Sequence, residues 1–373
     1  MLGLYVHIPF CKKICPYCDF TKRVSTQKKQ EIYLNALCEE MKLKKLHQYA
    51  FDTLYIGGGT PSMLEIDLLK KLFFHLDESI HLASLKEITF ECNPEDITKE
   101  LCNVLQAFHV NRVSIGVQTF SPKLQNLIGR FTDVQTIQAK IQLLKEAKID
   151  NINIDMMYAL PGETMDDLDE DLKKVTSLDI KHLSFYSLIL EEHTIFSTLV
   201  KKQQLTLIDE KMEAKMYHHV VHFLDKHGLK RYETSNFSKN GYQSIHNLIY
   251  WNCEKYLALG LGASSYYNDT RFKTTTNLQQ YLRLIDDQVI QLEEETVLSL
   301  DDQMEERILL ELRKKEGLDE CKFLNDFGIK VEEKFSSIPQ LLEEGLLIQK
   351  ENHLTIPTIY VYITNHIILK IIE

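Results

Sequence analysis

The sequence predicts an α/β fold in which repeated strand–helix units build a parallel sheet, and three observations predict it. Six short β-branched or apolar runs recur between residues 4 and 188. Longer stretches of helical period separate them, and two of those stretches open with helix-start residues. The strands are drawn at LYVHI (4–8), TLYIG (53–57), EITFE (87–91), RVSIGV (112–117), NINIDMM (151–157) and HLSFYSL (182–188). The helical stretches lie near 28–48, 65–80, 97–107, 133–147 and 166–177. Thr98 precedes the run KELCNVL, and Thr164 stands ahead of Asp166 and Asp167, whose charges favour a helix N-terminus. Six parallel strands with crossover helices form either an open doubly wound sheet or an incomplete barrel, and periodicity alone does not choose between them. Either arrangement gathers reactive residues where the strands end and the βα loops meet.

Beyond residue 190 the texture changes. A helical stretch (206–227) leads into a loop rich in Asn, Ser and Gly (234–247) and then the glycine-bearing segment LALGLGASSYY. From about residue 300 the runs QMEERILLELRKKEGL, FLNDFG and IPQLLEEGLLIQKENHLTI read as helix, turn, helix and short hairpin, the outline of a small winged-helix module. The acidic balance of that region argues against a DNA-binding role. No repeat of solenoid period and no low-complexity segment interrupts the chain.

Composition narrows the function. At 373 residues there is room for one large domain and a smaller one. The formal net charge of -11 is spread along the sequence without a basic cluster, so the footprint needed to hold a phosphate backbone is missing and nucleic acid is not expected as a partner. The opening MLGLYVHIPF lacks the basic start and long apolar core of a signal peptide, and no apolar run approaches the ~18 residues of a membrane helix, so a cytoplasmic location is expected. Five of the eight cysteines, Cys38, Cys92, Cys102, Cys253 and Cys321, are scattered and read as small buried residues.

The other three, Cys11, Cys15 and Cys18, follow the first strand in HIPFCKKICPYCDF with the spacing CX3CX2C. Eight cysteines placed at random would give that spacing in roughly four chains per thousand, so the count favours a metal site in a reducing compartment. Structural zinc would want four N or S ligands, and no nearby fourth is evident: His7 lies on the predicted strand and Asp19 would be an unusual ligand. An iron–sulfur cluster held by three thiolates leaves one iron in need of an outside ligand. An amino acid's amine and carboxylate can chelate that iron, and a sulfonium set against the cluster can accept one electron and cleave to a carbon radical.

With its flanks, the triplet resembles the radical S-adenosylmethionine (SAM) superfamily, and YVHIPFCKKICPYCDF resembles the anaerobic coproporphyrinogen oxidase family within it. The resemblance continues in order through GGGTPS (57–62), FECNPE (90–95), RVSIGVQTF (112–120), IGR (128–130), IDMMYALPGET (154–164) and HNLIYW (246–251). It implies a partial (β/α)6 barrel over 1–230, a connecting region over 231–295, and an α-rich C-terminal part ending in the winged-helix-like module over 296–373. It also implies a 4Fe-4S cluster on Cys11, Cys15 and Cys18 with SAM on the fourth iron.

Taken alone, Gly57, Gly58 and Gly59 form either a tight turn or a place where backbone approaches a ligand. The family assigns that loop to the methionyl amine of SAM, with Gly59 and Thr60 nearest. Glu91, Asn93, Gln118 and Asp155 converge on one rim of the sheet, and buried carboxylates need partners. Family resemblance makes Glu91, Gln118, Arg130 and Asp155 SAM contacts, with Arg130 as the fork for its carboxylate. Tyr5 and Tyr17 match positions flanking the cluster and SAM, and Ile189 matches a weaker adenine-side contact. The family usually carries a His two residues after the arginine of IGR, where this chain has Thr132.

Coproporphyrinogen dehydrogenases carry a further cysteine two positions after the triplet and an N-terminal extension. Here position 20 is Phe20 and the sequence starts at the first strand. HNLIYW instead resembles the HNxxYW signature of the heme chaperones called HemW. That resemblance makes His246 a candidate heme contact, since neutral imidazole is a common axial ligand, and gives Tyr250 and Trp251 an aromatic wall for the porphyrin. The competing reading keeps the motif as a structural loop. The tail LTIPTIYVYITNHII lacks the glycine that heme chaperones usually show after the last hairpin, so no contact is carried over there. The function expected is heme binding and delivery to acceptor proteins, with a flavodoxin or ferredoxin as electron donor and peripheral membrane contact through the acceptor. Its rivals are oxygen-independent coproporphyrinogen III decarboxylation and heme sensing through the tail.

Overall fold

The computed structural model describes residues 1–290 and 292–373. The six expected strands form at β1 (Leu2–Ile8), β2 (Thr53–Gly58), β3 (Glu87–Cys92), β4 (Arg112–Gln118), β5 (Asn151–Tyr158) and β6 (His182–Ser187). Each pairs in parallel with the next. The crossovers are α1 (Gln27–Leu43), α2 (Ile66–Ile80), α3 (Lys99–Ala107), α4 (Pro122–Ile128) with α5 (Val134–Glu146), and α6 (Met165–Thr176). Thr98 caps α3 by accepting from the Leu101 N–H, and Thr164 forms a reciprocal box with Asp167 at the start of α6. The first helix stops at Leu43, five residues short of the expected end, because Lys45 turns left-handed at φ 50° before a short 3-10 turn.

Strands buried on both faces of a parallel sheet usually read as continuous apolar runs. These alternate. Leu54 and Ile56, Ile88 and Phe90, Val113 and Ile115, Ile152 and Ile154, and Leu183 and Phe185 are buried against the helices in one core. Each such side chain contributes about 1.5–3 kcal/mol by leaving water. The intervening residues face a polar lumen: Asn153 donates to Ser114 Oγ (2.6 Å), His182 Nδ1 lies 2.7 Å from Asn153 Oδ1, and Arg112 reaches Thr89.

The later part of the chain enlarges the same sheet. After α7 (Ile195–Lys201) and α8 (Glu210–Lys226) come β7 (Lys230–Arg231), β8 (Asn236–Ser238), α9 (Ile245–Trp251), β9 (Lys255–Leu259), β10 (Ser264–Tyr267), β11 (Thr270–Thr274), α10 (Leu278–Asp286) and β12 (Leu292–Val297). The order across the sheet is β12-β11-β10-β9-β1-β2-β3-β4-β5-β6-β8-β7. It stays open, with β12 and β7 at its edges, and β9 pairs in parallel with β1. The stretch 231–295 therefore lends strands to both flanks of the barrel, and the expected loop 234–247 contains β8 and the start of α9.

Helix α9 closes the lumen from below. Its first turn meets the Glu87 carboxylate, which accepts from the N–H groups of Ile245 (3.0 Å) and His246 (2.9 Å), the arrangement a helix N-terminus favours.

The C-terminal part has its own apolar cluster, including Ile308, Leu318, Phe323, Leu341, Leu354 and Ile368. It comprises α11 (Leu300–Glu311), β13 (Leu318–Asp319), α12 (Glu320–Phe327), α13 (Val331–Lys334), α14 (Ile338–Glu343), the β14 (Ile348–Lys350)–β15 (His353–Thr355) hairpin and α15 (Thr364–Ile372). The small sheet runs β13-β15-β14, the wing of a winged-helix arrangement. No helix among the described residues is long and apolar enough to cross a membrane.

Candidate cofactor-binding site

The loop after β1 is stapled at its ends so that its three thiols are presented together. The Cys11 N–H donates to the Arg23 carbonyl at 3.0 Å, and the Arg23 N–H donates to the Pro9 carbonyl at 2.7 Å. His7 Nε2 lies 2.7 Å from the Thr21 carbonyl, and the Phe196 N–H holds the Pro16 carbonyl at 3.0 Å. Cys11, Cys15 and Cys18 are half-buried free thiols on one wall of a cavity of about 380 Å³. The Thr60 hydroxyl donates to Cys11 Sγ at 3.7 Å. Burial pushes the thiols of Cys11 and Cys18 up.

The glycines after β2 answer to close packing. Gly58 has φ +112°, and a Cβ there would meet the His7 ring at 2.4 Å. A Cβ on Gly59 would meet the Phe10 carbonyl oxygen at 2.6 Å, while its N–H donates to the Ile8 carbonyl at 2.8 Å. The GGG segment thus lies flush against the base of the cysteine loop.

Opposite the thiols stand the ends of β3, β4 and β5. Glu91 accepts from the Tyr55 hydroxyl (2.6 Å) and the Gly58 N–H (3.1 Å), and burial nonetheless pushes its carboxyl up to about 7. Asp155 accepts from Ser114 (2.8 Å) and Asn153 (2.7 Å). Arg130 donates to the Gly116 carbonyl (3.1 Å) and to Asn93 Oδ1 (2.6 Å), which aims the rest of its fork at the cavity. Gln118 sits at φ 75° where the β4–β5 register shifts between Gly116 and Gln118. That bulge re-aims its side chain to accept from the Tyr186 hydroxyl at 2.8 Å, the kind of local strain that persists only when surroundings hold it.

One cavity therefore brings together Cys11, Cys15, Cys18, Tyr17, Gly59, Thr60, Glu91, Gln118, Arg130 and Asp155. Three expected residues fall outside its lining. Tyr5 lies deeper in the lumen, bonded to His7 at 3.0 Å, and Ile189 is exposed beyond β6. His246 is the larger departure. It is buried in the floor, with Nδ1 2.7 Å from Thr53 Oγ1 and Nε2 2.7 Å from the Tyr250 hydroxyl. Burial lowers its pKa to about 3, so the ring is neutral and both nitrogens are engaged. A porphyrin cannot reach it in this arrangement, and Tyr250, whose hydroxyl it holds, is packed against Tyr256 (4.6 Å between centroids). Motif spacing could not distinguish a buried imidazole from an open one.

Reading the sequence also missed Tyr55, Ser114 and Tyr186, which hold the three polar contacts; their alternation with apolar neighbours along the strands was the available signal. Phe20 lines the cavity mouth with 65% of its surface exposed. At the family's histidine position, the Thr132 hydroxyl is buried without a partner, so nothing here replaces what an imidazole would bond.

The donor set fits a cluster better than a single ion. The three thiols of the loop alone would leave a structural zinc one ligand short. A cubane gives each thiolate its own iron. Across from the thiols, one guanidinium and two carboxylates match the carboxylate, amine and hydroxyls of SAM.

Comparison with known proteins agrees. Over 345 residues the chain is 40% identical to the heme chaperone HemW of Lactococcus lactis, covering 92% of this chain and 90% of the relative. The chain belongs to the HemW family. The HemW of Bacillus subtilis is 37% identical over 356 residues, covering 94% of each chain. The radical SAM superfamily model matches residues 5–175, and the HemN C-terminal domain model matches 298–357. The structure of coproporphyrinogen III oxidase (HemN) from Escherichia coli, a radical SAM enzyme, superposes with a TM-score of 0.86 at 25% identity, covering 99% of this chain and 89% of that one. The fold is thus that of a radical SAM protein with a HemN-like C-terminal part, and the family carries a 4Fe-4S cluster and SAM.

Proposed function

We propose that this protein is a heme chaperone, which binds heme and passes it to acceptor proteins while carrying a 4Fe-4S cluster on Cys11, Cys15 and Cys18 with SAM on the remaining iron. The observation that carries the reading is the single cavity in which three thiols face Arg130, Glu91 and Asp155 in a chain of the HemW family. In that reading Arg130 holds the SAM carboxylate, Glu91 accepts from its amine N–H groups and Asp155 from a ribose hydroxyl. Gly59 and Thr60 shape the cysteine-side wall, and Gln118 and Tyr17 flank the ligand. When bound, the cluster and SAM supply one-electron chemistry at a sulfonium. Tyr5 supports this group from below, and Ile189 edges it from outside.

Phe20 favours delivery over decarboxylation, because a ring lines the mouth where the dehydrogenases bring a further cysteine. For His246, heme ligation would require α9 to leave the barrel, and the geometry favours an interior role instead. The organisation that goes with this function is a barrel over 1–230, a connecting region over 231–295 and a C-terminal module over 296–373. A reducing cytoplasm suits the exposed cluster loop, with a flavodoxin or ferredoxin as reductant and membrane contact made only through the acceptor. The deciding experiment supplies anaerobically reconstituted protein with coproporphyrinogen III and SAM beside a heme titration of the same sample. Heme binding without protoporphyrinogen supports the proposal, and turnover of coproporphyrinogen overturns it.

A further inference from the structure

The cluster of the proposed function needs an electron from outside, and the cysteine loop carries a surface suited to a carrier. Between Cys11 and Lys29 the chain holds six lysines and arginines against one acid, Asp19, in a protein whose formal net charge is -11. Apolar and polar residues interrupt them, so no basic run marks the segment in the sequence, but the fold closes it on itself. The hydrogen bond from Cys11 to Arg23 brings the end of the loop back beside its start, and α1 begins four residues later at Gln27. Lys12, Lys13, Lys28 and Lys29 are exposed. Lys12 is paired with Asp96, whereas Lys13, Lys28 and Lys29 form no ion pair among the described residues. Lys22 directs its ammonium to the Cys18 carbonyl and not to a carboxylate. Lys28 and Lys29 stand in the first turn of α1, which has no acid and no side-chain cap. Cations at that end oppose the helix dipole, so helix stability does not account for them.

The same loop supplies an apolar centre. Ile14, Phe20 and Val24 are left open to solvent. Lys13, Phe20 and Lys22 also line the mouth of the cofactor cavity. The interior of that cavity is taken by SAM in this reading, which leaves the outer side of the loop as the short approach to Cys15 and Cys18.

We propose that this face is the docking site of a small acidic flavoprotein that donates single electrons: the lysines meet its carboxylates, and Phe20 with Ile14 and Val24 meets the apolar edge of its flavin. The assignment rests on the cluster of the proposed function. Outside this segment the chain is more acidic still, so an acidic partner is repelled elsewhere and steered here. A planar, apolar flavin edge matches an exposed phenyl ring better than does a carrier whose redox centre lies behind polar loops. One electron passes: the anionic flavin hydroquinone becomes the neutral semiquinone, the cluster gains one negative charge, and no proton or group moves. A few lysines around three apolar side chains make a small contact, as suits a partner that must leave after each electron.

The test titrates oxidised flavodoxin, a small acidic flavoprotein, into the reconstituted full chain and reads affinity by calorimetry, without turnover. The wild-type chain should bind, and raising salt from about 50 to about 300 mM should weaken binding about tenfold or more. The Lys13→Glu/Lys28→Glu double variant should bind about tenfold more weakly at low salt and lose much of the salt dependence. Phe20→Ala should weaken binding severalfold and keep the salt dependence, while Lys226→Glu, in the last turn of α8, should bind as wild type does. Cluster absorption and its bleaching by dithionite should be the same in all of them, because a small reductant needs no docking face. Flavodoxin hydroquinone should bleach the cluster of the double variant more slowly than that of wild type. Wild-type affinity in the double variant overturns the assignment, as does a wild-type chain that is bleached by dithionite yet binds no flavodoxin. Failure of the wild-type chain to take up iron overturns the cluster reading itself, and iron content distinguishes that result from a misplaced docking face.

Discussion

Replacing Tyr55 by phenylalanine removes a single hydroxyl from the floor of the cofactor cavity and leaves the ring that packs 5.2 Å from His246. That hydroxyl donates to Glu91 Oε1 at 2.6 Å and is the strongest influence opposing the burial that raises the carboxyl to about 7. A hydrogen bond to a charged group contributes about 1.5–3 kcal/mol, or about one to two pH units of carboxyl titration. Glu91 in the variant should therefore titrate near about pH 8–9. Only the ionised carboxylate leaves both oxygens free to accept from the SAM amine N–H groups, so affinity is present above the titration midpoint and lost as pH falls through it. Wild-type protein should lose SAM affinity as pH drops through about 7. At about pH 7.5 the variant should bind SAM on the order of tenfold more weakly, and it should recover as pH is raised further. Equilibrium dialysis of labelled SAM against reconstituted protein across this range reads both midpoints. Superimposed profiles, or a loss that alkaline pH does not repair, would refute the assignment of Glu91 to the SAM amine.

Three further outcomes are expected. Alanine at Cys11, Cys15 or Cys18 should abolish the broad brown absorption of the reconstituted cluster, and iron content per chain reports it directly. Glu163 is buried with one oxygen unpartnered, and its carboxyl is pushed up to about 8. Because this folded-state value exceeds the unfolded one of about 4.3, stability falls as pH rises between the two. Glu163→Gln should accordingly gain a few kcal/mol over wild type by about pH 8.5 and little near pH 4.5, so a stability difference flat with pH would exclude this account. His246→Ala deletes two buried hydrogen bonds and should cost about 2–4 kcal/mol in denaturant unfolding, while the heme Soret band of the surviving folded protein keeps its wild-type position.

Much of the barrel was legible because its strands alternate. Isoleucines and leucines at every second position mark the face under the helices, and Thr53, Tyr55, Glu91, Ser114 and Asp155 mark the lumen. Strand β9 escaped because nothing local in KYLAL says that its partner is the strand at the other end of the chain. Helix α4 is only seven residues long, and its one clear signal, Pro122 in the first turn, is also a turn signal. The cofactor cavity was readable because its residues close successive strands and carry motifs.

Glu87 accepts its hydrogen bonds from residues 157 to 159 positions further along the chain. Until the ribosome has released that later segment, the emerging half-barrel holds an acid with no donors and an interior open to water at its base. Such late-closing partners delay productive folding and leave early segments waiting. Iron loading of the cysteine loop should then follow completion of the polypeptide, and a fragment ending before residue 240 should resist reconstitution even though every thiol that grips iron lies within its first twenty residues.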